Sequence, residues 1–420
     1  MAIQAIKGVK DILPEDMPLW HHLEATARKL FEDYGFSEIR VPIFEYTELF
    51  ARSIGASTDI VEKEMYTFED RDGRKITLRP EGTAGVVRAF VEHKMYADSQ
   101  LTRLYYLGPM FRHERPQKGR YRQFYQIGAE AIGSASPALD AEVIEMVVEI
   151  LKGCGIGSSH LALNSVGCPK CRPAYVARLR EALKEKVSKM CSDCRRRSET
   201  NPLRVLDCKV PEDQPVIEAL PSILDHLCGE CREHFDKVRE YLGDREISYE
   251  IRPRLVRGLD YYTRTTFEVL HGALGAQNSI LGGGRYDGLA EALGSRIAAP
   301  GIGFSIGEDR LVMAVEQSPG NAVNVAPELF VAPLGEAAFR HCSILVRSLR
   351  RSGCTVEMVF DGKLKRAMEL ANKSGARYAL IVGDDEVASH TYALKDLATG
   401  EQRAVSRVEL FERFGYARSV

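Results

Sequence analysis

The chain has 420 residues, 45% of them hydrophobic and 28% charged, with a formal net charge of −2. That length exceeds one ordinary core and calls for two or three domains, while the near-neutral balance excludes a general nucleic-acid coat and leaves room only for local basic patches. No apolar run is long enough to span a bilayer, and MAIQAIKGVK lacks the apolar centre of a signal peptide, so a cytoplasmic protein without a membrane partner is expected. Ten cysteines in such a compartment are expected as reduced thiols or metal ligands, not as a disulfide framework.

Residues from about 14 to 34 have the spacing of an amphipathic helix, with Leu19, Leu23, Ala27, Leu30, Phe31 and Tyr34 on one stripe and Gly35 as its stop. FSEIRVPIFE then reads as a short strand whose Pro42 suits an end or an edge. In MYTFEDRDGRKITLRPEGTAGVVRAF, Asp72-Gly73 marks a hairpin turn, and Glu81 and Thr83 fall where the second strand passes into a helix. Strand ends are rigid and the first helical N–H groups are unpaired, which favours substrate contacts there; a plain helix cap at Thr83 is the simpler alternative.

The stretch RLYYLGPMFRHERPQKGRYRQFYQIGAE, Arg103 to Glu130, predicts two strands joined by a basic loop with Gly119 at its tip. Along the second strand Phe124, Gln126, Gly128 and Glu130 share one face, and Tyr125, Ile127 and Ala129 the other. Guanidinium forks at Arg112, Arg115, Arg120 and Arg122 beside an amide and a carboxylate suit a polyphosphate and a small zwitterion together.

A helix, SPALDAEVIEMVVEILKGCG with Ser136 as its cap, and a buried strand, HLALNSVG, lead into a segment of different composition from Cys168 to about Leu242. It reads as an inserted helical module carrying three C-x-x-C pairs, at 168/171, 191/194 and 228/231. The first two pairs, Cys168, Cys171, Cys191 and Cys194, have the spacing of a four-thiolate zinc site, with buried reduced thiols as the alternative.

RPRLVRGLDYYTRTTFEVL sets Arg254, Arg257 and Arg264 around the pair Tyr261 and Tyr262 before a strand. In LGGGRYDGLAEAL the three glycines permit close backbone approach, and Arg285, Tyr286 and Asp287 are expected to open a helix. APGIGFSIGEDRL places Gly301, Gly303 and Gly307 in a strand, a weakening choice unless something must lie against that face, and Arg310 starts the following helix. SPGNAVNVAP, at about 318 to 327, has linker composition, and the remainder alternates strand and helix as a small α/β domain with a mostly parallel sheet, ending in a hairpin over TYALKDLATGEQRAVS.

These elements resemble the class II aminoacyl-tRNA synthetases, and among them the histidyl-tRNA synthetase family. GIGFSIGEDR is similar to that class's motif 3, the hairpin with its Phe-Arg-x-Glu to motif 2, and FSEIRVPIFE to motif 1, while LVRGLDYYTRTTFE and GGGRYDGL resemble the histidine enzyme's two signature segments. The resemblance implies an α/β (α+β) architecture built on a class II antiparallel sheet flanked by helices. Residues 1–167 would form the first part of the catalytic domain, 168–242 the inserted cysteine-rich module and 243–317 the second catalytic part. After a linker at 318–327, residues 328–420 would form the anticodon-binding domain.

The same resemblance implies ATP-dependent activation of L-histidine and its transfer to histidine tRNA by a homodimer, with Mg2+ on the outer phosphates. Arg112 and Arg257 would flank the ATP α-phosphate as the catalytic pair. Phe124 and Arg310 would sandwich the adenine, with Glu114 at its side and Arg120 among the ATP-binding residues. Glu81, Thr83, Gln126 and Glu130 would bind histidine, Glu130 meeting the imidazole or the ammonium and Gln126 the amino-acid backbone. Arg257, Tyr261, Tyr262 and Tyr286 would complete that pocket, and Arg115 and Gln117 would meet the tRNA acceptor end. The rival is a catalytically inactive regulatory paralogue of the ATP phosphoribosyltransferase regulatory-subunit type. Such paralogues tend to lose the C-terminal domain and the arginine motifs, both present here. A second rival is a class II synthetase for another amino acid, such as threonine, proline or glycine, against which LVRGLDYY and GGGRYDGL argue.

Overall fold

The computed structural model describes residues 3–55, 58–157, 159–274, 278–317, 326–360 and 363–415. Most of the expected linker, 318–325, lies outside them. Two compact units are formed, Met1–Ala322 and Val323–Val420.

The first unit is built on an eight-stranded sheet. Its spatial order is Ser37–Glu38, Thr102–Phe111, Gln123–Ile132, Gly301–Gly307, Ser279–Arg285, Thr263–Leu270, His160–Ser165 and Glu250–Ile251. The six long central strands pair antiparallel, and only the two short outer strands pair parallel with their neighbours. Period-two alternation decides what each face meets. Tyr105, Ile127, Ala129, Phe267, Ile302 and Phe304 point into a core closed by the helices Met17–Asp33, Pro137–Gly153 and Glu308–Glu316. On the opposite face, Leu104, Tyr106, Met110 and Tyr286 pack with Val86, Val87 and Phe90 of the helix Thr83–Glu92. That helix covers only part of the face, and the candidate site lies beside it.

Local sequence explains the helix ends. The Ser136 hydroxyl accepts the Ala138 N–H at 3.3 Å, with Pro137 in the first turn. Gly35 takes a φ of +74° just past Met17–Asp33.

FSEIRVPIFE is not one strand. Ser37–Glu38 joins the large sheet and Phe44–Tyr46 a separate three-stranded sheet with Thr67–Glu69 and Lys75–Leu78. Pro42, which has no N–H to donate, falls in the crossing between them. The small sheet leaves Ile43, Phe44, Tyr46 and Phe68 between 44% and 58% exposed. Nor does the glycine triplet make a turn before a helix. Gly282, Gly283 and Gly284 lie inside the strand Ser279–Arg285, and the helix Leu289–Ala292 begins later.

Between the strands His160–Ser165 and Glu250–Ile251 runs a series of helices: Arg172–Leu183, Ser192–Thr200, Gln214–Glu218 and Gly229–Asp244. The first three enclose a small core of their own around Tyr175, Leu179, Val205 and Ile217. The fourth instead sends Phe235, Val238 and Leu242 into the main core.

The second unit has a five-stranded sheet in the order Val356–Met358, Leu329–Pro333, Tyr378–Val382, Thr391–Asp396, Gln402–Ser406. Its first three strands are parallel neighbours and the last two pairings are antiparallel, the final one being the hairpin expected over TYALKDLATGEQRAVS. The hairpin closing at Gly400 reverses direction too soon for a crossover helix.

Candidate functional site

Glu130 is the most buried acid of the open face, with no exposed surface. It sits on Gln123–Ile132 opposite Gly303 of Gly301–Gly307. A Cβ at Gly303 would collide with Glu130 Oε2, so the glycine makes the space that the carboxylate fills. The other oxygen, Oε1, accepts the Thr83 hydroxyl at 2.6 Å and has the Tyr106 hydroxyl at 3.4 Å. Burial pushes the Glu130 pKa up to about 8, although the Thr83 hydrogen bond restrains the rise.

Thr83 therefore does not cap its helix. That part is taken by Glu81, whose carboxylate accepts the N–H groups of Thr83 at 2.7 Å and Ala84 at 2.9 Å. Burial raises the Glu81 pKa against those two donors. The Tyr261 hydroxyl reaches Glu81 Oε2 at 3.5 Å, and the Tyr261 ring lies 4.8 Å from that of Tyr262 and 6.0 Å from that of Tyr286. Glu81, Thr83, Glu130 and the three tyrosines thus form one small pocket. Gln126 stands on the same strand as Glu130, and its buried Oε1 has no hydrogen-bond partner among the described residues.

The glycines of the neighbouring strands are explained in the same way. A side chain at Gly301 would strike the Tyr286 ring, one at Gly284 the Tyr262 ring, and one at Gly282 the Arg257 guanidinium. Each is a seat for a pocket residue.

Further along the sheet the charge changes sign. Arg257 lies over Gly282 and pairs with Glu268 at 3.1 Å. Arg112 donates to Pro80 O at 2.9 Å and covers the Phe124 ring, its Cζ 5.3 Å from the centroid. Glu114 is held by Arg120 at 3.0 Å, with Arg112 at 3.8 Å. Arg310 donates from Nε to Gly119 O at 3.1 Å and from Nη1 to Ser279 O at 2.7 Å, which ties the tip of the hairpin loop to the glycine-lined strands. Arg115 and Gln117 lie exposed on that loop, outside this cluster.

Sequence reasoning missed Tyr106, Glu268 and the residues that grip the arginine–tyrosine loop. Arg172 donates to Tyr262 O, Arg204 to Arg257 O at 2.9 Å, and Asn201 to Asp260 Oδ1 at 3.0 Å. An acid inside the apolar strand TTFEVL was the available signal for Glu268. Tyr106 could have been found from its need for space, since both Gly82 and Gly128 would meet its ring if they carried a Cβ.

One expectation is overturned. Cys168, Cys171, Cys191 and Cys194 do not share a site. Cys168 and Cys171 converge with Cys228 and Cys231, while Cys191 and Cys194 face Cys208 and Asp213. The helix Ser192–Thr200 carries its pair into the module's own core, whereas the turn at 168–171 stays beside the start of Gly229–Asp244.

An antiparallel sheet with a small polar pocket at one end of its open face and clustered arginines at the other is the catalytic platform of a class II aminoacyl-tRNA synthetase, an enzyme that activates an amino acid on ATP. A family model described as histidyl-tRNA synthetase matches residues 8–311, and one described as anticodon binding domain matches residues 328–415. The histidine–tRNA ligase of Solibacter usitatus is 64% identical over 415 residues, which cover 99% of each chain. That of Koribacter versatilis is 54% identical over 421 residues, covering 97% of this chain and 95% of the other. The crystal structure of apo Staphylococcus aureus histidyl-tRNA synthetase has the same fold, with a TM-score of 0.81 and 38% identity over 99% of this chain and all of that one. The chain belongs to the histidyl-tRNA synthetase family. These matches favour the ligase over the regulatory paralogue.

Proposed function

We infer that the chain is a histidine–tRNA ligase, which joins L-histidine to ATP as histidyl-adenylate with release of pyrophosphate, then passes the histidyl group to the 3′-terminal adenosine of histidine tRNA. The observation that carries this reading is the pocket around Glu130: a fully buried carboxylate, a buried amide oxygen at Gln126 without a partner among the described residues, and three tyrosines, a few residues along the strand from the arginine cluster.

In this reading Glu130 holds a nitrogen-borne proton of histidine, its imidazole or its ammonium, and Thr83 fixes the carboxylate's orientation. Gln126 accepts from the amino-acid backbone, while Glu81 and Tyr261 close the pocket and Tyr262 and Tyr286 wall it. Buried acceptors reject apolar side chains of similar size, because such a guest leaves them unpaired. Arg112 and Arg257 approach the α-phosphate from two sides and stabilise charge that builds there as the histidine carboxylate attacks. Phe124 and Arg310 stack on the adenine, with Glu114 and Arg120 beside the nucleotide. Magnesium enters as part of MgATP and neutralises the outer phosphates.

Arg115 and Gln117, exposed on the hairpin loop, contact the tRNA acceptor end, and the second unit reads the anticodon. The apolar surface of the small sheet, Ile43, Phe44, Tyr46 and Phe68, supports a homodimer. Within the described residues no helix is long and apolar enough to cross a membrane, in keeping with a cytoplasmic site of action. Histidine-dependent exchange of pyrophosphate into ATP tests the reading. Exchange with another amino acid but not with histidine would overturn the substrate, and exchange with none would overturn the enzyme.

A further inference from the structure

Two sets of metal-type ligands lie in the inserted module, outside the pocket. In the first, Cys168 Sγ is 3.8 Å from Cys171 Sγ and 3.8 Å from Cys228 Sγ, and Cys171 Sγ is 3.9 Å from Cys231 Sγ. In the second, Cys191 Sγ is 3.8 Å from Cys208 Sγ, whose Sγ is 3.3 Å from Asp213 Oδ2, with Cys194 as the fourth member. Within each set, all four ligand atoms lie within 4.8 Å of one another.

Zinc bonded to sulfur at about 2.3 Å in a tetrahedron requires sulfur–sulfur edges of about 3.8 Å. Two thiols in simple contact could share that distance. Four ligand atoms converging on one centre is a different arrangement, and it occurs twice. A disulfide would need a sulfur separation of about 2.05 Å. The sets are also too tight for a multi-iron cluster, so each fits one ion.

The surrounding backbone is shaped for thiolates. The N–H of Cys168 donates to Cys171 Sγ at 3.2 Å, that of Cys194 to Cys191 Sγ at 3.4 Å, and that of Val210 to Cys208 Sγ at 3.4 Å. Gly167, at a φ of +66°, precedes the first turn, and a Cβ there would come within 2.8 Å of Cys171 Sγ. Lys170 and Glu230, inside the two facing C-x-x-C turns, pair at 2.9 Å.

We propose that the chain binds two structural zinc ions, one on Cys168, Cys171, Cys228 and Cys231 and one on Cys191, Cys194, Cys208 and Asp213. Thiolates select zinc among the common divalent ions, and neither set leaves an open position for a substrate. The first ion clamps the neck of the insertion, joining pairs 60 residues apart. The second staples a core that, besides Cys194 and Cys208 themselves, has nine buried apolar residues among the described ones, a size at which metals commonly supply the missing stability. Both sites adjoin the residues that grip the pocket loop: Arg172 follows Cys171, and Arg204 lies just before Cys208.

Zinc and iron are measured by elemental analysis on the full-length protein purified without chelators, and metal-edge X-ray absorption gives the ligands. The expected result is two zinc ions per chain with seven sulfur and one oxygen ligands between them. Cys228→Ser with Cys231→Ser, and separately Cys208→Ser, should each lower the content by about one ion per chain. Should these variants fail to fold, cobalt substitution of the wild-type protein answers the same question through thiolate charge-transfer and tetrahedral bands. Below about a tenth of an equivalent both sites are overturned; a single bound ion overturns one of them, and iron in place of zinc overturns the assignment of the metal. None of these readouts depends on histidine activation.

Discussion

Thr83 and Glu130 stand 47 residues apart in sequence and share a 2.6 Å hydrogen bond inside the pocket. The donor comes from the first turn of a helix and the acceptor from the middle of the sheet, so the bond fixes the helix end against the strand as well as the carboxylate. Thr83→Val keeps the shape and deletes the donor. In the proposed histidine complex the acceptor is the ionised carboxylate, and losing one bond to it costs about 1.5–3 kcal/mol, so the histidine KM should rise by one to two orders of magnitude in pyrophosphate exchange. The ATP KM should stay unchanged; an equal rise there would place Thr83 outside the amino-acid site.

With Glu130 proposed as the acceptor for histidine, its raised pKa predicts that histidine binding depends on pH. With a value of about 8 in the ligand-free protein, the carboxyl carries its proton at neutral pH. Accepting a hydrogen bond from the substrate's nitrogen requires that proton to leave. The histidine KM should therefore fall as pH rises toward 8 and level off above it, while Glu130→Gln should abolish the slope and weaken binding throughout. Stability runs the other way. The folded pKa lies above the ordinary glutamate value of about 4.5, so the stabilising contribution is whole below about 4.5 and is lost as pH rises through about 8. Glu308, buried and pushed up to about 9, acts in the same sense. Ligand-free Tm should decline between pH 5 and 9, and Glu130→Gln should reduce the decline.

How much of this was legible in the sequence depends on the range of the interaction. The hairpin and its two faces were readable because strand alternation is local, and so were the cap at Ser136 and the stop at Gly35. The partners of Cys168 and Cys171 were not, because C-x-x-C spacing reports only which residues share a turn; which turns meet is decided by how the helices between them fold. The glycine strands lay between these cases. Gly301 and Gly303 announced that something must lie against them, but that it was Tyr286 and Glu130 could be known only from the sheet register. Pro42 announced a strand end, yet not that the chain changes sheets there.

Arg257 pairs with Glu268 at 3.1 Å over the space left by Gly282, so the guanidinium proposed for the α-phosphate is held in place by the protein alone. A preorganised cation aimed at charge formed only in the transition state acts mainly on the rate. Arg257→Ala should lower the kcat of adenylation by about 10²–10³ while histidine affinity, measured by calorimetry, stays nearly constant. A parallel loss of histidine affinity would reassign Arg257 to ground-state binding. Gly282→Ala should reproduce part of the loss, since its methyl would displace the guanidinium.

Arg285 occupies the middle of the GGGRYDGL segment, yet its side chain is completely buried away from the pocket. It binds Asp140 at 2.7 Å, and the His234 ring binds the other Asp140 oxygen at 2.8 Å. The same guanidinium donates to Ser134 O at 3.0 Å and pairs with Asp287 at 2.9 Å. Burial works against the charge on Asp140, but Arg285 and His234 more than offset it and hold the pKa below the usual carboxylate value. Asp140 thereby joins the first turn of Pro137–Gly153 to the last residue of Ser279–Arg285 and, through His234, to Gly229–Asp244. Breaking a buried pair by removing one partner costs about 3–5 kcal/mol, because the buried Arg285 charge then keeps only Asp287 and backbone acceptors. Asp140→Ala should therefore lower the denaturant midpoint of the first unit by an amount of that order. The molecules that remain folded should keep a near-normal histidine KM, and a selective loss of histidine binding at unchanged stability would show that this arginine of the signature segment serves the substrate instead of the fold.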